Sequence, residues 1–178
     1  MFDSVLVANR GEIACRVMRT CRQLGVRTVA VFSDVDVDAP HVADADHAVR
    51  IGPASASKSY LRVESVVHAA VESGAQAVHP GYGFLSENAE FAQSVLDAGS
   101  VWVGPSPDSI RLMGDKAVAK ARMREGGVPV VPGVEAASPD VEDLIAVCKE
   151  KVGFPLLIKA VAGGGQRDTT RSRTRSIA

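Results

Sequence analysis

Short apolar runs alternate with longer segments of helical periodicity along this chain, and no other feature constrains its fold as strongly. The apolar runs predict strands at residues 5–8, 28–32, 48–51, 77–79 and 101–103. Helical spacing predicts helices at residues 11–24, 63–72 and 86–98, with a short helix near residues 39–45. The run at residues 28–32 is continuous and β-branched, which is typical of a strand buried on both faces. Strands separated by helices predict a parallel sheet with right-handed crossovers, an α/β fold of the Rossmann-like kind.

A second region begins near Pro105 and has a different order of elements. One helix is predicted at residues 109–125, and a connector with two prolines follows at residues 128–133. Ser138 is a candidate N-cap for a helix that ends near Lys151, and a strand is predicted at residues 156–160. The chain is therefore predicted to contain an α/β domain at 1–104, a connecting helix and linker at 105–133, a further helix and strand at 134–165 and a tail at 166–178.

The tail, residues 166–178, differs in composition from the rest of the chain. It contains four arginines and only two apolar residues, without periodicity. Such a segment buries too little surface to offset its ordering entropy. We therefore expect it to be disordered. Three origins of the tail are open, namely a frameshift, which we favour, a truncation, and a genuine basic tail for an acidic partner.

The bulk features of the sequence exclude several classes of protein. The net charge of −1 gives no general attraction to nucleic acid or membrane surfaces. No apolar run reaches the roughly 18 residues of a membrane span, and residues 1–7 lack the basic region of a signal peptide. Cys15, Cys21 and Cys148 lack the spacing of metal ligands, so we expect reduced packing residues. These features predict a cytoplasmic protein.

Four short motifs occur in order along the chain. The longest is H-P-G-Y-G-F-L-S-E-N at residues 79–88, and A-N-R-G-E-I-A precedes it at residues 8–14. R-L-M-G-D-K lies at residues 111–116, and F-P-L-L-I-K-A lies at residues 154–160. Through these motifs, residues 1 to about 165 resemble the N-terminal part of biotin carboxylases, the ATP-dependent component of acyl-CoA and pyruvate carboxylases.

The resemblance implies a ligase that uses ATP, Mg²⁺ and bicarbonate to form carboxyphosphate and then transfers CO₂ to N1 of biotin. In this family the first α/β domain packs against an ATP-grasp fold, and ATP lies between the two halves of that fold. The resemblance makes residues 134–165 the incomplete start of the ATP-grasp lid subdomain, so we expect the strand at 156–160 to lack its partner strands. The resemblance assigns ATP binding to Lys116, Lys159, Gly163, Gly164 and Gly165, and the biotin pocket to Tyr82 and Gly83. It also implies the biotin carrier protein as a partner and is compatible with a homodimer.

The family's catalytic and metal-binding residues fall outside the four motifs. The resemblance places the Mg²⁺ ligands, the base for bicarbonate and the basic residues that hold bicarbonate further along the family's chain. We therefore expect no catalytic residue and no metal ligand within these 178 residues, and no turnover by this chain alone.

The residue chemistry at the fourth motif is compatible with a site for ATP phosphates. Lys159 ends an apolar strand before a glycine run, so a phosphate would stabilise its partly desolvated charge. Gly163, Gly164 and Gly165 allow backbone N–H groups to approach a phosphate closely, although a flexible turn is the alternative. The alternative for Lys116 is a solvated helix residue.

The loop at residues 79–88 follows the carboxyl end of a predicted strand, where open α/β sheets place their ligands. Tyr82 and Gly83 lie in this loop. Glu87 and Asn88 either cap the next helix or contribute to a site directly. His79 has no neighbour in sequence with which it would form an acid–base dyad, so we expect a structural histidine.

A nucleotide-binding module of the Rossmann kind is the main alternative function. Residues 9–12 occupy the place of a dinucleotide phosphate loop, and Asp34 follows the second strand as a ribose-binding acid would. Only Gly11 is present where G-x-G-x-x-G is required, so we expect no NAD binding. Asp34, Asp36 and Asp38 are instead expected to form an exposed acidic turn. A third hypothesis is an interaction module that pairs with carboxylase subunits.

Overall fold

A computed structural model of the chain describes residues 2–134, 140–153, 155–159 and 169–172. The chain divides into two units, Met1–Arg111 and Leu112–Ala178. The strands of the first unit are β1 (Ser4–Val7), β2 (Arg27–Ser33), β3 (His47–Gly52), β4 (Ala77–His79) and β5 (Val101–Trp102). Its helices are α1 (Gly11–Gln23), α2 (Pro40–Ala43), α3 (Val63–Glu72) and α4 (Ala89–Asp97), with short 3₁₀ turns at Asp34–Asp36 and Ala56–Lys58.

The five strands form one parallel sheet in the order β3-β2-β1-β4-β5. β1 is central, with Leu6 opposite Val29 of β2 on one side and Val78 of β4 on the other. The chain adds β2 and β3 on one side of β1 and then crosses over to add β4 and β5 on the other. This topology confirms the predicted α/β class and the Rossmann-like parallel sheet.

Helices cover both faces of the sheet, because successive residues of each strand point to opposite sides. Leu6 and Val29 belong to a buried cluster that includes Phe91 of α4. Val7, the next residue of β1, belongs to a separate cluster with Met18 of α1. Because both faces of β1 are buried, its residues are apolar at successive positions rather than at every second position.

Side-chain caps move two helix boundaries away from their predicted positions. The predicted helix at residues 86–98 begins only at Ala89, because the Asn88 side chain caps it and accepts a hydrogen bond from the N–H of Phe91 at 2.8 Å. The predicted helix at residues 109–125 is two helices, α5 (Pro107–Gly114) and α6 (Lys116–Glu125).

Asp115 causes the break between α5 and α6. Its carboxylate accepts hydrogen bonds from the N–H groups of Ala117 at 2.9 Å and Val118 at 3.1 Å. An aspartate that binds the first free N–H groups of a helix stabilises a helix start at this position.

The second unit continues with α7 (Val141–Lys151), β6 (Leu156–Lys159) and β7 (Thr169–Ser172). Asp140 caps α7 and accepts a hydrogen bond from the N–H of Glu142 at 2.8 Å. Ser138, the predicted cap, lies outside the described residues. No helix within the described part of the chain is long and apolar enough to cross a membrane.

β6 pairs with β7 in an antiparallel sheet, with Leu156 opposite Ser172 and Lys159 opposite Thr169. Two expectations from the sequence are therefore wrong for these residues, since β6 has a partner and residues 169–172 of the tail form a strand. The physical reason is that backbone hydrogen bonds pair two extended segments without requiring the apolar pattern that the tail lacks. The other tail residues, 166–168 and 173–178, lie outside the described residues.

All three cysteines are free thiols with partly buried side chains. Burial raises the pKa of the Cys21 thiol, and at Cys15 burial together with the nearby carboxylate of Asp44 also raises the pKa. A raised pKa favours the protonated thiol over the reactive thiolate. This agrees with the expectation that these cysteines are packing residues.

Candidate functional site

The carboxyl ends of β1 and β4 lie side by side at the point where the strand order reverses across the sheet. Parallel α/β sheets bind ligands in the crevice beyond the strand ends at such a point. Two of the sequence motifs meet here, because residues 8–14 follow β1 and residues 79–88 connect β4 to α4. The N–H of Ala8 donates a hydrogen bond to the carbonyl of His79 at 2.8 Å.

Asn9 fastens the loop after β4 to the end of β1. Its fully buried side chain donates hydrogen bonds from Nδ2 to the carbonyl oxygens of Pro80 at 2.9 Å and Tyr82 at 3.0 Å. Its Oδ1 accepts a hydrogen bond from the N–H of Arg10 at 3.0 Å. A Cβ atom at Gly81 would lie 2.7 Å from Asn9 Nδ2, so a glycine is required for this close approach.

His79 has a structural contact within the same loop. Its Nδ1 is 3.0 Å from the N–H of Gly81 and accepts a hydrogen bond from it. Burial lowers the pKa of His79, and the charge of Arg16 lowers it further. A neutral imidazole that accepts at Nδ1 stabilises the turn at Pro80, which agrees with the structural role expected from the sequence.

Phe84 is in a strained backbone conformation, with a φ of 41° that is unusual for any residue other than glycine. Its ring stacks on the ring of Tyr60, with centroids 5.1 Å apart and an interplanar angle of 12°. The next residue, Leu85, is buried in the larger core cluster. Hydrogen bonds from Ser86 N–H to Gly83 O at 2.9 Å and from Asn88 N–H to Leu85 O at 3.0 Å complete the loop.

A buried carboxylate holds the other end of Tyr60. Asp36 Oδ2 accepts hydrogen bonds from Tyr60 OH and from Ser33 Oγ, each at 2.7 Å, and lies 3.3 Å from Arg10 Nη1. The Arg10 guanidinium also lies 5.7 Å from the centroid of the Tyr60 ring. The expectation of an exposed acidic turn is therefore wrong for Asp36, although Asp34 and Asp38 are exposed. Its burial is possible because three donors satisfy one carboxylate oxygen.

The ionisation of this cluster follows from the same contacts. Burial, together with the hydrogen bond to Asp36, raises the pKa of Tyr60 to about 12. Burial alone would raise the pKa of Asp36, but hydrogen bonds from Ser33 and Tyr60 and the charge of Arg10 bring it below its ordinary value. At neutral pH the cluster therefore contains a neutral tyrosine, an ionised aspartate and a charged arginine.

The loop presents the two residues that the resemblance assigns to the biotin pocket. The Tyr82 side chain is 58% exposed although its carbonyl is held by Asn9. Gly83 has a φ of +71°, and a Cβ atom there would contact nothing within 4 Å. The backbone of this part of the loop is fixed while its outer surface is open to a ligand.

The same crevice lacks the features of a dinucleotide site. The N–H of Arg10 is bound by the Asn9 side chain, and Gly11 is the only glycine in the turn that leads into α1. Asp34 does not present a free carboxylate, since Arg50 binds both of its oxygens at 2.5 and 3.1 Å. These contacts are a further reason to expect no NAD binding.

Comparison with known families shows to which family these motifs belong. The family model for the biotin carboxylase N-terminal domain matches residues 1–110, which covers both motifs of the crevice. The chain belongs to the biotin carboxylase family. A second model, the ATP binding domain of the carbamoyl-phosphate synthase L chain, matches residues 115–175. This second match extends past residue 165, where the resemblance inferred from the motifs ends.

Similar biotin carboxylases come from plants, animals and bacteria. The chain is 55% identical over 163 residues to the methylcrotonoyl-CoA carboxylase alpha subunit of Oryza sativa subsp. japonica, which matches 92% of this chain and 22% of the relative. It is 49% identical over 167 residues to the biotin carboxylase of Pseudomonas aeruginosa, which matches 94% of this chain and 37% of the relative. The chain thus spans between about a fifth and two fifths of the length of these relatives.

Solved biotin carboxylases have the same fold. The biotin carboxylase domain dimer of Hydrogenobacter thermophilus 2-oxoglutarate carboxylase, in complex with MgADP, ADP and bicarbonate, aligns with a TM-score of 0.90 and 48% identity. It covers 97% of this chain, and the chain covers 38% of it. A biotin carboxylase complex from Campylobacter jejuni with β,γ-ATP aligns with a TM-score of 0.91, 40% identity and coverage of 98% and 39%.

The residues that the family resemblance assigns to ATP belong to the second unit. Lys116 is the first residue of α6, and Lys159 is the last residue of β6. Gly163, Gly164 and Gly165 lie outside the described residues. Among the residues that the structure does describe, no three His, Cys, Asp or Glu side chains are grouped to hold a metal ion.

Sequence reasoning missed the residues that hold the loop. From the sequence, Asn9 and Arg10 are predicted only as part of a family motif at the place of a phosphate loop, and Asp36 is predicted as an exposed acid. Two features of the sequence together could have indicated this contact, namely an asparagine directly after the first strand and a glycine-rich turn after the fourth. In a sheet where these two strands are neighbours, such an asparagine is placed to bind the turn.

Proposed function

We propose that this chain forms the N-terminal part of a biotin carboxylase, a ligase that carboxylates biotin with ATP and bicarbonate. The observation that carries the proposal is the loop at residues 79–88, fixed by Asn9 at the reversal of strand order with Tyr82 exposed. Loops at this position of an α/β sheet bind ligands. Membership of the biotin carboxylase family supports biotin as the ligand.

In this proposal the chain contributes binding surfaces for two substrates. Tyr82 and Gly83 line the pocket for biotin, with the open surface of the loop against the ring system. Lys116 and Lys159 bind the phosphates of ATP, and the backbone N–H groups of Gly163, Gly164 and Gly165 approach the same phosphates. Lysine ammonium groups and glycine-rich backbone stabilise the negative charge of a nucleotide.

In this proposal the bond-making steps fall to residues of the family that lie outside the four motifs of this chain. Activation of bicarbonate to carboxyphosphate and transfer of CO₂ to N1 of biotin need the metal ligands, the base and the bicarbonate-binding residues of the family. We propose that the partners are ATP, bicarbonate, the biotin carrier protein and, through the family's dimer, a second carboxylase subunit. The 178-residue chain alone should release no ADP in a bicarbonate- and biotin-dependent manner. Turnover that survives stringent purification and scales with the amount of chain would contradict this.

A titration of the isotopically labelled chain with free D-biotin tests the pocket directly. Saturable shifts are expected at the amides of Tyr82 and Gly83, with none at Gly74, a glycine after α3 with a similar positive φ. Tyr82→Ala should abolish the shift at Gly83. Val71→Ala, which changes another exposed apolar side chain, should leave it unchanged. Biotin-dependent shifts that avoid residues 79–88, or none up to the solubility of biotin, would refute the proposed pocket.

A further inference from the structure

The carboxyl ends of four adjacent strands converge on one loop. Asn9 follows β1, Asp36 lies in the turn after β2, Tyr60 lies in the segment after β3, and Phe84 lies in the loop after β4. These residues are connected by hydrogen bonds, an ion pair and two ring contacts. The loop that carries Tyr82 and Gly83 is therefore held from two sides, by Asn9 on one and by the Tyr60 ring on the other.

Asn9 fixes the direction of two loop carbonyls. Both hydrogens of its amide are committed, one to Pro80 O and one to Tyr82 O, and its oxygen is bound by the N–H of Arg10. Only an amide of this size supplies two donors and one acceptor at these places. An aspartate would place a carboxylate oxygen against two carbonyl oxygens, which repel it.

Tyr60 fixes the position of Phe84. The Tyr60 OH donates to Asp36 and accepts from the N–H of Ser33 at 3.1 Å, so the ring has one orientation. Phe84 stacks on that ring with its backbone at a positive φ, a conformation that persists only when surrounding contacts over-determine it. The stacked ring and the buried Leu85 supply those contacts.

Arg10 connects the two holding groups. Its N–H binds the Asn9 side chain, and its guanidinium pairs with Asp36 and lies over the Tyr60 ring. The A-N-R motif after β1 and the H-P-G-Y-G-F motif after β4 are thus parts of one arrangement. A loop held in this way has its binding surface organised before a ligand arrives.

We propose that Asn9 and Tyr60 are positioning residues for the biotin loop, which set the backbone conformation in which Tyr82 and Gly83 are presented. This rests on the proposed function, since it takes biotin as the ligand of the loop. Neither side chain touches the ligand in this account. Both act through the loop, Asn9 through the carbonyls of Pro80 and Tyr82, and Tyr60 through the ring of Phe84.

The test compares four variants of the full chain by hydrogen exchange without ligand and by D-biotin titration. Asn9→Asp replaces the donors by an acceptor at constant size, and Tyr60→Leu removes the stacked ring. Tyr60→Phe is the conservative partner, because it keeps the ring and removes only the hydroxyl. Met18→Ala is the stability control. Met18 is a fully buried residue of α1, and it packs in a different core cluster from the one that contains Tyr60 and Leu85.

The readout is the exchange rate of the Ser86 and Asn88 amides relative to that of Ala92 in α4. Asn9→Asp and Tyr60→Leu should raise this ratio by about tenfold or more and weaken the biotin-induced shift at Gly83. Tyr60→Phe should raise the ratio less than Tyr60→Leu, because the stacked ring remains although its hydrogen bonds to Asp36 and Ser33 are lost, and it should keep the ring-current shift of Phe84. Met18→Ala should raise all exchange rates together and leave the ratio unchanged, as a purely global loss of stability does.

Two outcomes distinguish a failure of the positioning role from a failure of the proposed function. Unchanged exchange ratios in Asn9→Asp and Tyr60→Leu, or an unchanged biotin response in both, would overturn the positioning role. A wild-type chain that binds no biotin would contradict the proposed function, while the exchange ratios still decide whether Asn9 and Tyr60 set the loop conformation.

Discussion

Replacement of Gly81 by alanine tests the close approach between the two strand ends. A Cβ atom at this position would lie 2.7 Å from Asn9 Nδ2, 2.9 Å from Ile13 Cγ2 and 3.0 Å from Asn9 Cβ. Gly81 also has a φ of +66°. The substitution therefore adds a steric clash to a backbone conformation that disfavours a side chain.

The expected loss of unfolding free energy is the sum of these two contributions. A left-handed conformation costs an L-residue about 1–2 kcal/mol. Overpacking of a filled site costs a further ~1–3 kcal/mol, because Asn9 is held by its hydrogen bonds and cannot move freely. Gly81→Ala should thus lower the free energy of unfolding by about 2–5 kcal/mol.

Gly83→Ala is a matched control in the same loop. Its φ of +71° is similar, but a Cβ atom there would meet nothing within 4 Å. Only the backbone contribution of about 1–2 kcal/mol remains. The change in unfolded-chain entropy is the same for both substitutions and cancels in the comparison.

The assay is urea unfolding followed by the fluorescence of Trp102, the single tryptophan of the chain, which lies in β5. Gly81→Ala should be less stable than Gly83→Ala by about 1–3 kcal/mol. Equal losses for the two variants would refute the reasoning, because the clash with Asn9 would then contribute nothing.

Three other measurements address different parts of the structure. The raised pKa of Tyr60 means that the folded chain holds this proton more tightly than the unfolded chain, so stability is lost as pH rises from about 10 to about 12. The difference in unfolding free energy between the wild type and Tyr60→Phe should shrink by up to ~2.7 kcal/mol over that range, and a difference independent of pH would contradict the assignment. NADH at millimolar concentration should give no saturable binding, and a titration curve that is lost on Gly11→Val would reverse this conclusion. The amide of Ile158 in the two-stranded β6–β7 sheet should exchange faster than that of Val31 in the five-stranded sheet, because two-stranded sheets are only marginally stable. Equal protection of the two amides would show that the second unit stabilises β6 by itself.

The fold of the first unit could be predicted because its signals are local. The strands and helices each carry their own periodicity, and the continuous apolar run of β2 indicates burial on both faces. The position of the loop at residues 79–88 followed in turn from the rule that parallel sheets bind ligands beyond their strand ends.

The contacts that hold the loop could not be predicted in the same way, since they join distant parts of the sequence. Asn9 and Pro80 are separated by 71 positions, and Tyr60 and Asp36 by 24. Asp36 is the same residue type as its exposed neighbours Asp34 and Asp38. Its burial depends on contacts with Tyr60 and Arg10, which are distant in sequence. The pairing of β7 with β6 also depends on backbone hydrogen bonds rather than on a side-chain pattern.

Activity of a chimeric enzyme tests the central claim most directly. In a complete biotin carboxylase, the N-terminal segment that matches residues 1–110 would be replaced by those residues of this chain. The measured quantity is the rate of ADP release that depends on both bicarbonate and biotin. The account predicts that the chimera retains this activity and that Tyr82→Ala within it raises the KM for biotin. A folded chimera that binds ATP but shows no bicarbonate-dependent ADP release would contradict the claim that this chain is the N-terminal part of a biotin carboxylase.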